Sequence, residues 1–152
     1  MPGSEYREAR PSDLESILLL CLELHSSTDN RMFGLSPSKM RASLLSFMGH
    51  SDMQFLVAVR GGIVVGIHAG VVYSDWFTED LRADSFLIYV GLSARGGFVG
   101  KSLVKRFERW AFARGSKSVM LGFASGGSTD RMGGLVELLG YSHRGGVYKK
   151  ET

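Results

Sequence analysis

Residues 88–100 have the sequence IYVGLSARGGFVG, in which a β-branched and aromatic run is followed by a glycine-rich segment. Behind it, Leu103, Phe107 and Trp110 recur at helical spacing, and Gly115 is placed to end that helix. The stretch therefore predicts a strand, a turn and a helix in succession. Consecutive backbone amides at such a helix start form a cradle for an anion, so we predict a phosphate site here. A turn that only folds the helix back onto the strand is the alternative.

Two other phosphate-binding motifs are disfavoured in this stretch. Gly100-Lys101-Ser102 copies the end of a P-loop, but the first glycine of that motif would fall at Arg95. The following run, residues 119–123 with the sequence VMLGF, lacks the aspartate that such enzymes use to hold magnesium. The dinucleotide pattern Gly-x-Gly-x-x-Gly is absent. The sequence therefore argues against a nucleoside triphosphate or dinucleotide site.

Working outward, the chain alternates strand and helix patterns over one predicted domain, residues 1–152. We predict the order β, α, α, β, β, β, α, β, α, β, β, in one mixed sheet with helices on its faces. A capping box at Ser12 and Glu15 predicts the start of the first helix. The second helix is expected from the proline after Ser36 to Gly49. Glycine pairs predict a hairpin turn at 61–62 and a short terminal hairpin around 145–146.

Composition and charge exclude several classes of protein. Twenty of the 152 residues are glycine, but 44% are hydrophobic and no Gly-X-Y period occurs, which excludes collagen-like and disordered chains. A net charge of +3 without a run of five like charges permits an anionic ligand and predicts no nucleic-acid partner. The lone Cys21, expected in the core, excludes an internal disulfide. With no apolar run long enough for a membrane span, we expect a soluble cytoplasmic protein.

The stretch quoted above resembles motif A of the GNAT superfamily of acyl-CoA-dependent N-acyltransferases. In that motif, a strand ending in Leu-x-Val leads to Arg/Gln-x-x-Gly-x-Gly/Ala and a helix; here these are residues 88–90 and 95–100. The likeness extends to RPSDL at 10–14, VVG at 64–66 and LVELLGY at 135–141, in the family's order. The resemblance implies an α/β (α+β) fold with a mixed, mostly antiparallel sheet of about six to seven strands and helices on both faces.

The resemblance also implies acetyl-CoA as co-substrate, with its pyrophosphate on the motif's backbone amides and its pantetheine arm along the strand. One departure is that the family's first motif glycine falls at Phe98, after Gly96 and Gly97. Because backbone amides rather than side chains bind the pyrophosphate, Phe98 is compatible with the site. The implied coenzyme-binding residues are Tyr89, Val90, Arg95, Gly96, Gly97, Phe98, Val99, Gly100, Lys101 and Ser102.

Because the nucleophile in amine acetylation must be neutral, a base or a proton wire helps to remove its proton. Deprotonating an amine of pKa about 10.4 at pH 7 costs about 4.6 kcal/mol. In some members of the family a Glu six residues before the strand's closing Val is the base, and the corresponding residue here is Asp84. A solvated acid at a strand start is the alternative for Asp84. As the candidate base we prefer Asp84 to Glu79 and Asp80, which are expected on a loop surface.

The acid that protonates the departing thiolate is the least defined part of the implied site. Many members of the family use a Tyr in the last helix, and the corresponding residue here is Val136. The candidates left open for this acid are Ser125, Ser128 or Thr129 acting through water, and Tyr89 or Tyr141. The thiolate could also leave without being protonated. For Ser128, a helix N-cap is the preferred alternative role.

The sequence leaves the acceptor and the partners broadly defined. The four histidines lack metal-ligand spacing, so no metal is predicted, and His68 in an apolar strand is expected to be interior. The resemblance implies acceptor-pocket walls at 25–35 and at Asp75–Phe77, although shielding of the sheet edge explains these aromatics equally well. We expect an unidentified amine acceptor, no membrane partner, and a homodimer as a hypothesis. A non-catalytic coenzyme A-binding or interaction module is the competing class, motivated by Val136 and Phe98.

Overall fold

The computed structural model describes residues 3–122 and 136–152, which contain one five-stranded sheet in the order β1-β2-β3-β4-β5. All neighbours are antiparallel except β4 and β5, which are parallel. The mixed, mostly antiparallel architecture is therefore confirmed, with five strands in the described ranges rather than six to seven. The strands are β1 Glu5–Glu8, β2 Met53–Arg60, β3 Ile63–Ser74, β4 Leu81–Val90 and β5 Val119–Leu121.

In residues 3–122, three α-helices pack on the two faces of this sheet: α1 Leu14–Ser26, α2 Pro37–Gly49 and α3 Val99–Ala113. Short 3₁₀ helices lie at Pro11–Asp13, Asp29–Met32 and Leu92–Ala94. The α1 and α2 helices cover one face, in a core that includes Ile17, Leu44, Val57 and Ile67. The α3 helix covers the opposite face, where Leu103 packs with Leu56 and Phe107 packs with Ala83. The prediction of helices on both faces is confirmed. No helix in the described ranges is long and apolar enough to cross a membrane.

Three of the predicted helix-start, turn and helix-end signals are found in the structure. The start of α2 is confirmed, because Ser36 Oγ accepts a hydrogen bond from the Lys39 amide at 3.4 Å. The hairpin turn is confirmed by φ angles of 58° at Gly61 and 78° at Gly62. Gly115, with a φ of 92°, follows the last turn of α3 as predicted.

The capping box predicted at Ser12 and Glu15 is wrong. The Asp13 carboxylate instead accepts the Arg10 amide at 2.8 Å and holds Arg7 of β1 through two bonds of 2.7 and 2.9 Å. The Arg7 guanidinium is the main reason that the pKa of Asp13 is lowered. A bidentate charge-assisted pair between strand and helix outweighs a local hydroxyl cap. Glu15 bonds Arg41 of α2 at 3.0 Å.

The C-terminal tail also differs from the prediction. Residues 141–152 form no strand, so the terminal hairpin expected around 145–146 is wrong. A strand needs a partner with free backbone groups, whereas the tail is held through side chains: Tyr141 donates to Glu108 at 2.9 Å and Lys149 reaches Met32 Sδ at 3.0 Å. The last predicted helix begins outside the described residues. Its end is helical at 136–138 and stops before Gly140, whose φ is 95°, as predicted.

Two strand glycines bring α3 unusually close to β3. A Cβ built on Gly70 would lie 2.3 Å from the Phe107 ring, and one on Gly66 would lie 2.8 Å from Val99 Cγ1. No larger residue fits without displacing the helix. This contact fixes the first turn of α3 beside the end of β4, where a Cβ on Gly100 would lie 3.6 Å from Val90 Cγ2.

Candidate active site

The edge of β4 is only partly covered. The parallel strand β5 pairs with Ala83, Asp84 and Ser85, and no described residue pairs with the remainder of β4 on that side. The register with β3 shifts between Ala69 and Gly70, which leaves Phe86 as an extra, bulged residue. From Phe86 to Val90 the strand therefore presents a free edge within the described part of the chain.

The backbone groups of Ile88 and Val90 point to this free edge. The Gly91 amide donates to Val65 O at 2.9 Å, and the register pairs Val90 with Gly66. Because hydrogen-bonded and non-hydrogen-bonded pairs alternate in an antiparallel ladder, Tyr89 bonds to β3 while its two neighbours face outward. Consistently, Arg95 Nε donates to Val90 O at 3.0 Å. The edge thus offers strand-like hydrogen bonds to an extended ligand.

The start of α3 presents a row of backbone donors. Gly96 turns the chain with a φ of 84°, and Phe98 occupies the N-cap with its side chain 77% exposed. The Ser102 amide, which donates to Phe98 O at 2.8 Å, makes the first helical bond. Within the described residues, the amides of 96–101 donate to no protein acceptor. A 15-residue helix adds its positive dipole end, so this segment suits an anion.

The side chains around this loop add positive charge and an aromatic platform. The Arg95 guanidinium lies 5.2 Å from the centre of the Tyr89 ring, and Lys101 is exposed on the first turn of α3. Tyr89 packs in the core cluster on the α1 side of the sheet. Burial raises the pKa of its hydroxyl, which therefore remains protonated at neutral pH. Ser102 is half-buried in the same turn of α3.

Asp84 lies inside β4, three residues after the strand begins. Its Oδ2 accepts a hydrogen bond from Tyr73 Oη at 2.8 Å. Its Oδ1 is shielded from solvent and has no hydrogen-bond partner in the described part of the chain. Burial, and then the bond to Asp84, raise the pKa of Tyr73. The residue is half-buried rather than a solvated strand start, and its role as base remains a prediction.

The two segments expected to form walls of the acceptor pocket differ in their contacts and exposure. The segment 25–35 is tied together by a 2.8 Å bond between His25 Nε2 and Phe33 O, and Lys149 lies 5.9 Å from the Phe33 ring centre. At the other wall, Trp76 is 96% exposed and meets Phe77 with ring centres 5.6 Å apart. An indole so exposed shields little of the sheet edge.

Other candidate residues lie away from this edge or outside the described residues. Ser125 and Ser128, like Thr129, fall in the undescribed range 123–135. Tyr141 donates to Glu108, nine residues into α3, which places its hydroxyl about 13 Å along the helix from the predicted cradle. Burial raises the pKa of Tyr141. Val136 lies in the helical turn at 136–138.

Two interior predictions are confirmed. His68 is fully buried and bonded to Ser85 Oγ at 2.8 Å, and burial lowers its pKa to about 4. Cys21 lies in the core, where burial raises its pKa to about 11. Sequence reasoning missed the Tyr73–Asp84 bond. The available signal was the position of both residues near the connecting turn of one hairpin, but their register could not be derived from it.

The comparisons with known proteins agree with this geometry. No protein-family model matches the sequence. An IAA acetyltransferase of Azospirillum brasilense is 32% identical over 114 residues, which are 74% of this chain and 70% of that protein. Aminoglycoside N-acetyltransferase AAC(6')-Iy in complex with CoA superposes with a TM-score of 0.80 at 15% identity, over 100% of this chain and 96% of that one. A GNAT family acetyltransferase of Staphylococcus aureus has a TM-score of 0.67 at 14% identity, over 99% of both chains.

The free β4 edge, the glycine-rich loop and the start of α3 are thus found on a fold shared with acetyltransferases, so the class is acyltransferase. Within that class, the chain belongs to the GNAT superfamily.

Proposed function

We propose that this protein is an acetyl-CoA-dependent N-acetyltransferase that transfers the acetyl group to an amine by direct attack in a ternary complex. The observation that carries the proposal is the donor surface formed by the amides at 96–101 and the edge of β4, which have no partner among residues 3–122 and 136–152. The relative solved with CoA supports the choice of co-substrate. The relatives include an IAA acetyltransferase and an aminoglycoside N-acetyltransferase, so they do not define one acceptor.

In this proposal the pyrophosphate of the co-substrate lies on the amides of Phe98, Val99, Gly100 and Lys101. Helix-start amides and the dipole favour the phosphate charge, and Arg95 and Lys101 add two cations. The pantetheine arm then follows the outward-facing groups of Val90 and Ile88. The four residues from Val90 back to Phe86 span about 13 Å, which brings the thioester to the bulge.

Transfer then requires one displacement at the thioester carbonyl. The neutral amine nitrogen forms a bond to the carbonyl carbon, the C–S bond breaks, and coenzyme A leaves as the thiolate. Outward amides at the β4 edge stabilise the negative charge on the carbonyl oxygen, and Asp84 supplies the base. For the thiolate acid, Ser125 and Ser128 remain predictions.

A non-catalytic coenzyme A-binding module is the second candidate, because Val136 stands where the family resemblance implies a tyrosine acid and Phe98 is an exposed aromatic in the loop. The two candidates agree on binding and differ on turnover. Under the first, isothermal titration calorimetry shows acetyl-CoA binding at submillimolar concentration, and a panel of primary amines releases free coenzyme A. Binding without release from any amine would favour the second, and absence of binding would overturn both.

A further inference from the structure

One oxygen of the Asp84 carboxylate is bonded to Tyr73, and the other is shielded from solvent. Tyr73 donates to Oδ2 at 2.8 Å, and Oδ1 is shielded from solvent without a hydrogen-bond partner in the described part of the chain. The Tyr73 hydroxyl is therefore a route by which a group can exchange a proton with Asp84. A phenol can donate one hydrogen bond while its oxygen accepts another, so it can serve as this link.

The pair faces the side of the sheet where the acceptor segment lies. Ala83 packs on Phe107 of α3, and Ser85 bonds His68, whose ring lies 4.6 Å from Phe107. Since successive side chains of a strand alternate, Asp84 points to the opposite face. The α1 and α2 helices cover that face, and the segment 25–35 connects them. Asp84 also lies beside Ser85, where the pairing with β5 ends and the free edge begins.

The charges around the pair favour a cation. Arg82 lies 5.9 Å from the Tyr73 ring centre, but its guanidinium is bound to Asp75 at 2.6 Å. With Asp84 ionised, the group of two carboxylates and one guanidinium has a net charge of −1. A protonated amine is attracted to this site, whereas an anionic acceptor is repelled.

We propose, on the basis of the N-acetyltransferase function above, that Tyr73 and Asp84 form a two-step proton relay for a primary ammonium acceptor. The ammonium N–H bond breaks and its proton passes to Tyr73 Oη, while the Tyr73 hydroxyl proton passes to Asp84 Oδ2. The products are a neutral amine, an unchanged tyrosine and a protonated Asp84. As the C–S bond breaks, the acylated nitrogen loses its second proton to the departing coenzyme A thiolate, and the relay then runs in reverse and releases the first proton to solvent. Since its pKa is raised by burial and by Asp84, the Tyr73 hydroxyl stays protonated between turnovers.

The relay is tested with two small nucleophiles that differ in their need for deprotonation. Ethylamine is a cation at pH 7, whereas hydroxylamine is already neutral. Coenzyme A release is measured with each for the wild type, Tyr73→Phe, Asp84→Asn and the double variant. Each single variant should lower kcat/KM for ethylamine by about 100-fold, the double variant by no more than that, and all should change hydroxylamine values by less than about threefold.

The controls separate this outcome from structural damage. Tyr6→Phe removes a hydroxyl from β1, at the other edge of the sheet, and should leave both rates unchanged. The ratio of the two rates from one sample does not depend on its folded fraction, so a partly unfolded variant remains informative. Equal losses with both nucleophiles, unchanged ethylamine rates, or single losses that multiply in the double variant would overturn the relay. A wild type that binds acetyl-CoA but acetylates neither nucleophile would overturn the proposed function together with the relay.

Discussion

Glycines on the two sides of the α3 start serve opposite purposes. Under the helix, a Cβ on Gly70 would lie 2.3 Å from Phe107, so the space that the glycine leaves is filled by the protein itself. In the loop, Gly97 has nothing within 4 Å of a built Cβ, and Gly100 has only Val90 at 3.6 Å. The first group makes room for packing and the second leaves space open. Stability and ligand binding should therefore respond separately to substitutions in the two groups.

The largest expected effect is that of Gly70→Ala on stability. The added methyl meets a fully buried ring and also approaches Asp84 O at 2.9 Å, so neither the ring nor the backbone can move without a large energetic cost. We expect the free energy of unfolding in urea to fall by about 3 kcal/mol, at the upper end for overpacking. Adding Phe107→Leu should recover part of the loss. A change below about 0.5 kcal/mol would show that α3 does not lie this close to β3.

The same packed region predicts a dependence of stability on pH. Burial lowers the pKa of His68 from 6.5 to about 4. Between these values the unfolded chain binds a proton that the folded chain does not, so stability falls as pH falls, by up to about 3 kcal/mol. Urea unfolding between pH 7 and 4.5 measures this loss. His68→Gln should be less stable at pH 7 and lose most of the dependence of its unfolding free energy on pH. If this variant keeps the wild-type dependence, other groups cause it.

Gly100→Glu should affect binding without affecting stability. A carboxylate at this position repels the pyrophosphate, so we expect acetyl-CoA affinity to fall by about 100-fold, or about 2.7 kcal/mol, in calorimetry. The free energy of unfolding should change by less than about 0.5 kcal/mol, because an acid suits a helix start. Gly100→Ala is the matched control and should bind nearly as the wild type does. Undiminished binding by Gly100→Glu would place the co-substrate elsewhere.

The smallest expected effects distinguish the adjacent glycines of the loop. Gly96 has a φ of 84°, which costs a side-chain-bearing residue about 1 kcal/mol, whereas Gly97 has no positive φ and open space around it. In thermal and urea unfolding, Gly96→Ala should therefore be the less stable variant, and Gly97→Ala should match the wild type. Equal losses would contradict the turn geometry described for Gly96.

Predictions from the sequence succeeded where the signal was local or belonged to a recognisable motif. The α2 start at Ser36, the turn at Gly61 and Gly62, and the order of strands and helices up to β5 all depend on neighbours a few residues apart or on a hydrophobic period. The α1 capping box failed because Asp13 binds Arg7 on another element. The tail hairpin failed because a strand depends on an available partner edge, which its own residues do not specify.

The sequence by itself indicated the family, through the resemblance of its motifs. It also determined the strand-to-helix turn at 88–100 and the helix-start amides within it, because these follow from local backbone chemistry. Only the tertiary structure decided which amides of β4 face outward, which glycines lie beneath α3, and that Tyr73 occupies one oxygen of Asp84. Each of these depends on the register between strands distant in sequence. A shift of one residue in that register would turn every side chain to the other face.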